Sequence, residues 1–260
     1  MTAGSPWTIE TGDDPIIATA IHAGHDLRAD VAELMKLPEA DRLREEDPFT
    51  DHWVGAAANS IVVHRSRFEL DLNRPREKAI YVVPEDAWGL DVWRSRPPDD
   101  MVAESLRIYD EFYDQLGALC DRVVDTHGHV VVLDLHSYNH RRSGPTRPVD
   151  DPELNPEINL GTESIPSSWR SIVDAFSATM RELPFDDDVL DVRENVKFKG
   201  GAMTRWLNGR YQDRGCSIAV EMKKIYIDEW TGQLDEDITT AIGQIINSAA
   251  ESVRAQLAER

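Results

Sequence analysis

Residues 130–139 read Val-Val-Val-Leu-Asp-Leu-His-Ser-Tyr-Asn. The opening run is β-branched and aliphatic, the composition of a strand buried on both faces in the middle of a sheet. In an open α/β sheet, ligands sit in the crevice at the carboxyl ends of the strands. The histidine that closes this run, His136, is therefore placed by rigid structure where a ligand would lie. A hydrogen-bonded structural histidine is the competing interpretation of the same residue. The other strand ends in the chain decide between the two.

Pro15–Ile21 is a second apolar strand, and it too finishes in histidine, as His22-Ala-Gly-His25. Small residues between the two imidazoles allow a tight turn and close backbone approach. His22 and His25 either face one point, as metal ligands do, or make a polar turn. Ser60–Val63 is a third strand, followed by Arg65 and Arg67. The alternation of Phe68–Leu72 predicts a further strand, ending at Asn73-Arg74. A guanidinium grips a carboxylate through two parallel hydrogen bonds, and an adjacent Asn adds a polar contact. Arg65, Arg67, Asn73 and Arg74 are thus candidates for holding an anionic substrate, unless they only pair with Glu69 and Asp71. Cys216–Lys223 is the last core strand, and Glu221 interrupts its apolar run. A carboxylate there needs a partner, such as Lys223 or Lys224, or acts as a general base with a raised pKa.

Helical periodicity covers Asp30–Leu37, Met101–Val124, Trp169–Leu183, Met203–Tyr211 and Asp235–Arg260. Strands alternating with helices make this an α/β chain. The polar residues 1–14 are predicted to be a loosely attached arm, and residues 15–260 a single domain. Three consecutive acids, Glu45-Glu46-Asp47, precede Pro48 and Thr50, as in a solvated helix start or a ligand turn. Lys and Arg total 28 against 48 Asp and Glu, a net charge of −20, which repels nucleic acid and anionic membranes. Two cysteines make no disulfide framework, and no apolar stretch reaches spanning length, so a soluble cytoplasmic protein is expected.

Several strands thus end in His22/His25, Asn73-Arg74, His136 and Glu221, with the turn at Glu46-Asp47 near them in sequence. Two imidazoles, one carboxylate and an open position form the ligand set of a catalytic zinc. With a carboxylate base and an arginine anchor, the set describes amide hydrolysis of an acidic small molecule.

In this arrangement the chain resembles the N-formylglutamate amidohydrolase family. The resemblance rests on the His22-x-Gly turn, Asp47 with Asp51 after it, Asp71-Leu-Asn-Arg-Pro75, Asp134-Leu-His136-Ser, Lys199-Gly-Gly and Val-Glu221-Met, in order across residues 15–225. It implies a mixed, largely parallel sheet flanked by helices, similar in fold to aspartoacylase and the zinc carboxypeptidases. It further implies one zinc ion on His22 and His136, Asn73 and Arg74 on the substrate, and Glu221 as base. Arg65, Arg67 and Lys199 would add substrate contacts. In the carboxypeptidase-like relatives the acidic ligand lies three residues after the first histidine, where this chain has His25. Asp47 is then the expected third ligand, with Glu46 and His25 in reserve. The expected substrate is an N-acylated acidic amino acid such as N-formyl-L-glutamate. A zinc carboxypeptidase and a non-catalytic binder of acidic metabolites are the alternatives.

Overall fold

The computed structural model describes residues 4–260. Among these residues there are nine strands: β1 (Trp7–Glu10), β2 (Ile16–Ala20), β3 (Asn59–Val63), β4 (Val130–Tyr138), β5 (Ile158–Gly161), β6 (Pro184–Phe185), β7 (Asp188–Val189), β8 (Val192–Glu194) and β9 (Gly215–Lys223). The helices are α1 (Ala29–Leu34), α2 (Glu39–Glu45), α3 (Asp99–His127), α4 (Arg170–Glu182), α5 (Ala202–Tyr211) and α6 (Glu236–Ala258). Seven strands form one sheet in the order β1-β3-β2-β4-β9-β5-β8, while β6 and β7 pair separately. Within it β3, β2, β4 and β9 run parallel, β1 and β5 join antiparallel to β3 and β9, and β8 lies parallel to β5. The mixed, largely parallel α/β sheet is as expected.

Alternation along β4 explains the layering. Successive strand side chains point to opposite faces. Val130 and Val132 join the apolar layer under α3 and α5, whereas Val131, Leu133 and Leu135 join the layer under α4 and α6. All nine residues of β4 are buried. The same alternation carries Asp134 and His136 to the α3/α5 face. In β9, Ile218, Val220 and Met222 pack under α4 and α6, so Glu221 shares a face with His136, its register partner.

The loose arm expected over residues 1–14 gives way to an edge strand. Trp7 is buried, its indole N–H donates to Gln115 at 2.8 Å, and β1 pairs with β3. Residues 1–3 of that expectation lie outside the described residues. The strand expected at Phe68–Leu72 is instead a series of turns, with Glu69 N–H donating to the Ser66 carbonyl at 3.0 Å. Alternation misleads there because Glu69 and Asp71, the polar members of the pattern, are as buried as Phe68, Leu70 and Leu72. Among the described residues, no helix is long and apolar enough to cross a membrane.

Candidate metal and catalytic site

Three elements deliver one cluster. His22 follows the end of β2, His136 stands near the end of β4, and Asp47 comes from the turn after α2. The turn is fixed to β2 by the Asp47 N–H, which donates to the His22 carbonyl at 2.9 Å. A buried ammonium, Lys224 Nζ, holds it from behind through the Glu46 carbonyl at 2.7 Å and the Arg44 carbonyl at 2.5 Å. One ligand atom each from His22, Asp47 and His136 lies within 4.8 Å of the others, and all three residues are buried.

Both imidazoles are oriented in the same way. His22 Nε2 lies 2.8 Å from Asp71 Oδ1, and His136 Nε2 lies 3.0 Å from Asp134 Oδ2. The opposite nitrogens face Asp47 Oδ2, His22 Nδ1 at 3.4 Å and His136 Nδ1 at 3.0 Å. His22 Nδ1 is buried and has no hydrogen-bond partner among the described residues. Metal-ligating histidines characteristically donate their outer N–H to a carboxylate, which fixes the ring and leaves the inner lone pair to the cation. Two inner nitrogens, one orphaned, and one carboxylate oxygen therefore fit a divalent ion. Burial pushes the Asp47 carboxyl up, but the His136 and His22 imidazoles outweigh it and hold it well below the usual carboxylate range. Asp71 is likewise held low against burial by Arg67 and His22.

Glu221 lies across the strand pair from His136. The lysines that could have neutralised it point elsewhere: Lys223 Nζ donates to the Asn155 carbonyl at 3.0 Å, and Lys224 to the two turn carbonyls. Burial pushes its carboxyl up to about 7, with nearby Asp47 and Asp134 adding to the effect and His136 opposing it. A group that titrates near neutrality can both take and return a proton.

A cavity of about 210 Å³ opens over this cluster. Asn73 and Arg74 line it. Asn73 is locked to the start of α5: its carbonyl accepts from Ala202 N–H at 3.0 Å and its Oδ1 from Met203 N–H at 3.2 Å. Gly201 permits this contact, since a Cβ there would collide with the Asn73 side chain. The Gly-Gly turn thus makes room for Asn73 at the cavity wall. The Arg74 guanidinium lies over the Tyr81 ring, 4.5 Å from its centroid.

The remaining candidates divide. Arg67 lines the cavity but is committed to Asp71 at 2.9 Å and lies 4.0 Å from Asp47. Arg65 lies off the cavity, 4.0 Å from Glu69. Lys199 lies at the rim with its ammonium 2.7 Å from the exposed Glu163. His25 and Glu46 do not join the cluster. They bond to each other, and Glu46 also accepts from Ser66, while Arg42 contacts both. Gly24 allows close approach not to a ligand but to the His64 backbone, which a Cβ would strike. Sequence reasoning passed over Asp71 and Asp134 as orienting groups. Asp134, a carboxylate inside an apolar strand, carries the same signal that singles out Glu221.

The fold and the cluster define a mixed α/β protein with a candidate metal site at the carboxyl ends of its strands. Residues 14–227 match the family model of N-formylglutamate amidohydrolase, and the chain belongs to that family. It is an amidohydrolase. An N-formylglutamate amidohydrolase from Ralstonia eutropha JMP134 is similar in structure, with a TM-score of 0.76 at 18% identity, covering 96% of this chain and 99% of that one. A gene product from Agrobacterium tumefaciens gives 0.64 at 18% identity, over 96% and 97% of the two chains. No curated protein shows significant similarity to the chain.

Proposed function

We propose that this amidohydrolase holds a zinc ion on His22, Asp47 and His136 and hydrolyses the amide of an N-acylated acidic amino acid, with N-formyl-L-glutamate the foremost candidate. The observation that carries this proposal is the juxtaposition of two carboxylate-oriented imidazoles and Asp47 with the buried Glu221 in one cavity. An N,N,O donor set suits zinc with a position left open. A cation bound there would polarise the amide carbonyl and acidify water.

Glu221 takes the proton from the attacking water and passes it to the amide nitrogen as the C–N bond breaks and the C–O bond forms. Formate and a free amine leave. Burial, which raises the Glu221 carboxyl above the ordinary range, makes it the stronger base that this transfer needs. Asn73 and Arg74 bind a substrate carboxylate, fixing the acyl group over Glu221.

The test is a panel of N-formyl, N-acetyl and N-succinyl amino acids with short peptides, scored by released amine. N-formyl-L-glutamate is expected to give the highest kcat/KM. Faster cleavage of peptides at their carboxy terminus would replace this assignment with a carboxypeptidase.

A further inference from the structure

Residues 140–156 form a long connection with one short 3-10 turn, Pro152–Leu154. Long connections without regular structure inside a compact domain usually carry function. The base of this one is pinned. The buried Glu229 carboxylate accepts the N–H groups of His140 at 2.6 Å and Arg141 at 3.1 Å, and Trp230 Nε1 donates to the Arg141 carbonyl at 3.1 Å. Arg141 is thus held on both sides of its backbone, and the next residue, Arg142, is delivered to the cavity wall.

There the Arg142 guanidinium makes a two-pronged contact with Glu45, at 2.9 and 3.2 Å. The Arg142 side chain remains 42% exposed, whereas Glu45 is 6% exposed. Glu45 has a second cation at hand, with Arg44 Nε 3.7 Å from its Oε1. Trp88, another cavity residue, presents its ring to Arg142 at 5.9 Å and to Arg67 at 5.0 Å. Of the other cations around the cavity, Arg67 is largely buried against Asp71 and Lys224 against backbone carbonyls, Arg74 lies beside Asn73 with its Nη2 on the Asp86 carbonyl, and Lys199 pairs at the exposed rim with Glu163.

Building on the proposed function, we propose that Arg142 is a second carboxylate anchor that selects dicarboxylic substrates: the substrate's remote carboxylate displaces Glu45 from the Arg142 fork, and Glu45 turns to Arg44. The exchange substitutes one carboxylate for another on the same planar donor pair. The resident Glu45 shows that the fork is presented in the geometry a carboxylate requires. Arg74 with Asn73 then holds the other carboxylate, so the two anchors discriminate diacids from monoacids.

Calorimetric titration with glutarate and butyrate tests this directly. Wild-type protein is expected to bind glutarate more tightly, and Arg142→Met to lose about ten-fold or more in glutarate affinity while butyrate affinity moves less than about three-fold. Glu45→Gln removes the resident competitor and is expected to tighten glutarate several-fold. Equal binding of the two acids by wild type, a parallel loss for both acids in Arg142→Met, or weaker glutarate binding in Glu45→Gln would overturn the proposal. Neither probe is hydrolysed, so the outcome stands whether or not N-formyl-L-glutamate proves to be the substrate.

Discussion

Strand β2 carries a buried polar cluster at each end, and the two are built on opposite terms. Before the strand, Asp14 is fully paired. Its Oδ1 accepts from Ile16 N–H at 3.0 Å and Arg254 Nε at 3.1 Å, and its Oδ2 from Ala58 N–H at 2.9 Å and Arg254 Nη2 at 2.7 Å. After the strand, His22 keeps one buried nitrogen unpartnered, and Glu221 is pushed up to about 7 by burial. Closed hydrogen bonding marks a cluster that joins α6 to the sheet. Open bonding among buried His, Asp and Glu side chains is what the proposed ligand site requires.

The largest effect should come from the open end. Glu221→Gln is expected to lower kcat by about 10²–10⁴-fold with the metal content unchanged. Retained turnover would remove Glu221 from the chemistry. Next come Asp71→Asn and Asp134→Asn, each expected to weaken metal binding roughly 10–100-fold by releasing an imidazole. Titration against a chelator measures it, and unchanged affinity would mean the rings are held by other contacts.

At the closed end, Asp14→Asn should leave kcat/KM intact and cost about 1–3 kcal/mol of stability, read from denaturant unfolding. A drop in activity at full stability would join the two clusters functionally and break the contrast. The smallest effect is its pH dependence. Burial pushes the Asp14 carboxyl up, but Arg254 and the two backbone N–H groups hold it below its ordinary 3.8. With a depressed folded pKa, the stabilisation is complete above the unfolded value and is lost as pH falls through the folded one. The gap in Tm between wild type and Asp14→Asn should therefore be open at neutral pH and close in acid. A gap that widens in acid would contradict the pairing.

Much of this architecture was legible in one dimension because it is written in apolar runs. The runs ending in His22, His136 and Glu221 are strands whose ends converge, and the long periodic segments are α3 and α6. What spacing does not reveal is direction. Glu45, Glu46 and Asp47 are consecutive, yet Glu45 meets Arg142, Glu46 meets His25 and Ser66, and Asp47 meets His22 and His136. The bond from Asp47 N–H to the His22 carbonyl and the grip of Lys224, neither visible in the spacing, help select among them. Arg65, Arg67 and Arg74 looked alike in sequence. Tertiary pairing assigns the first to Glu69 and the second to Asp71, while the third lines the cavity beside Asn73, its Nε 3.7 Å from Asp71 and its Nη2 donating to the Asp86 carbonyl at 2.5 Å.

The most direct test is elemental analysis of protein purified without added metal, alongside His22→Ala and His136→Ala. About one zinc ion per chain is expected in wild type, with its loss from both variants and the helical circular-dichroism signal preserved. Undiminished metal content in either variant, or full hydrolytic rate in metal-stripped protein, would contradict it.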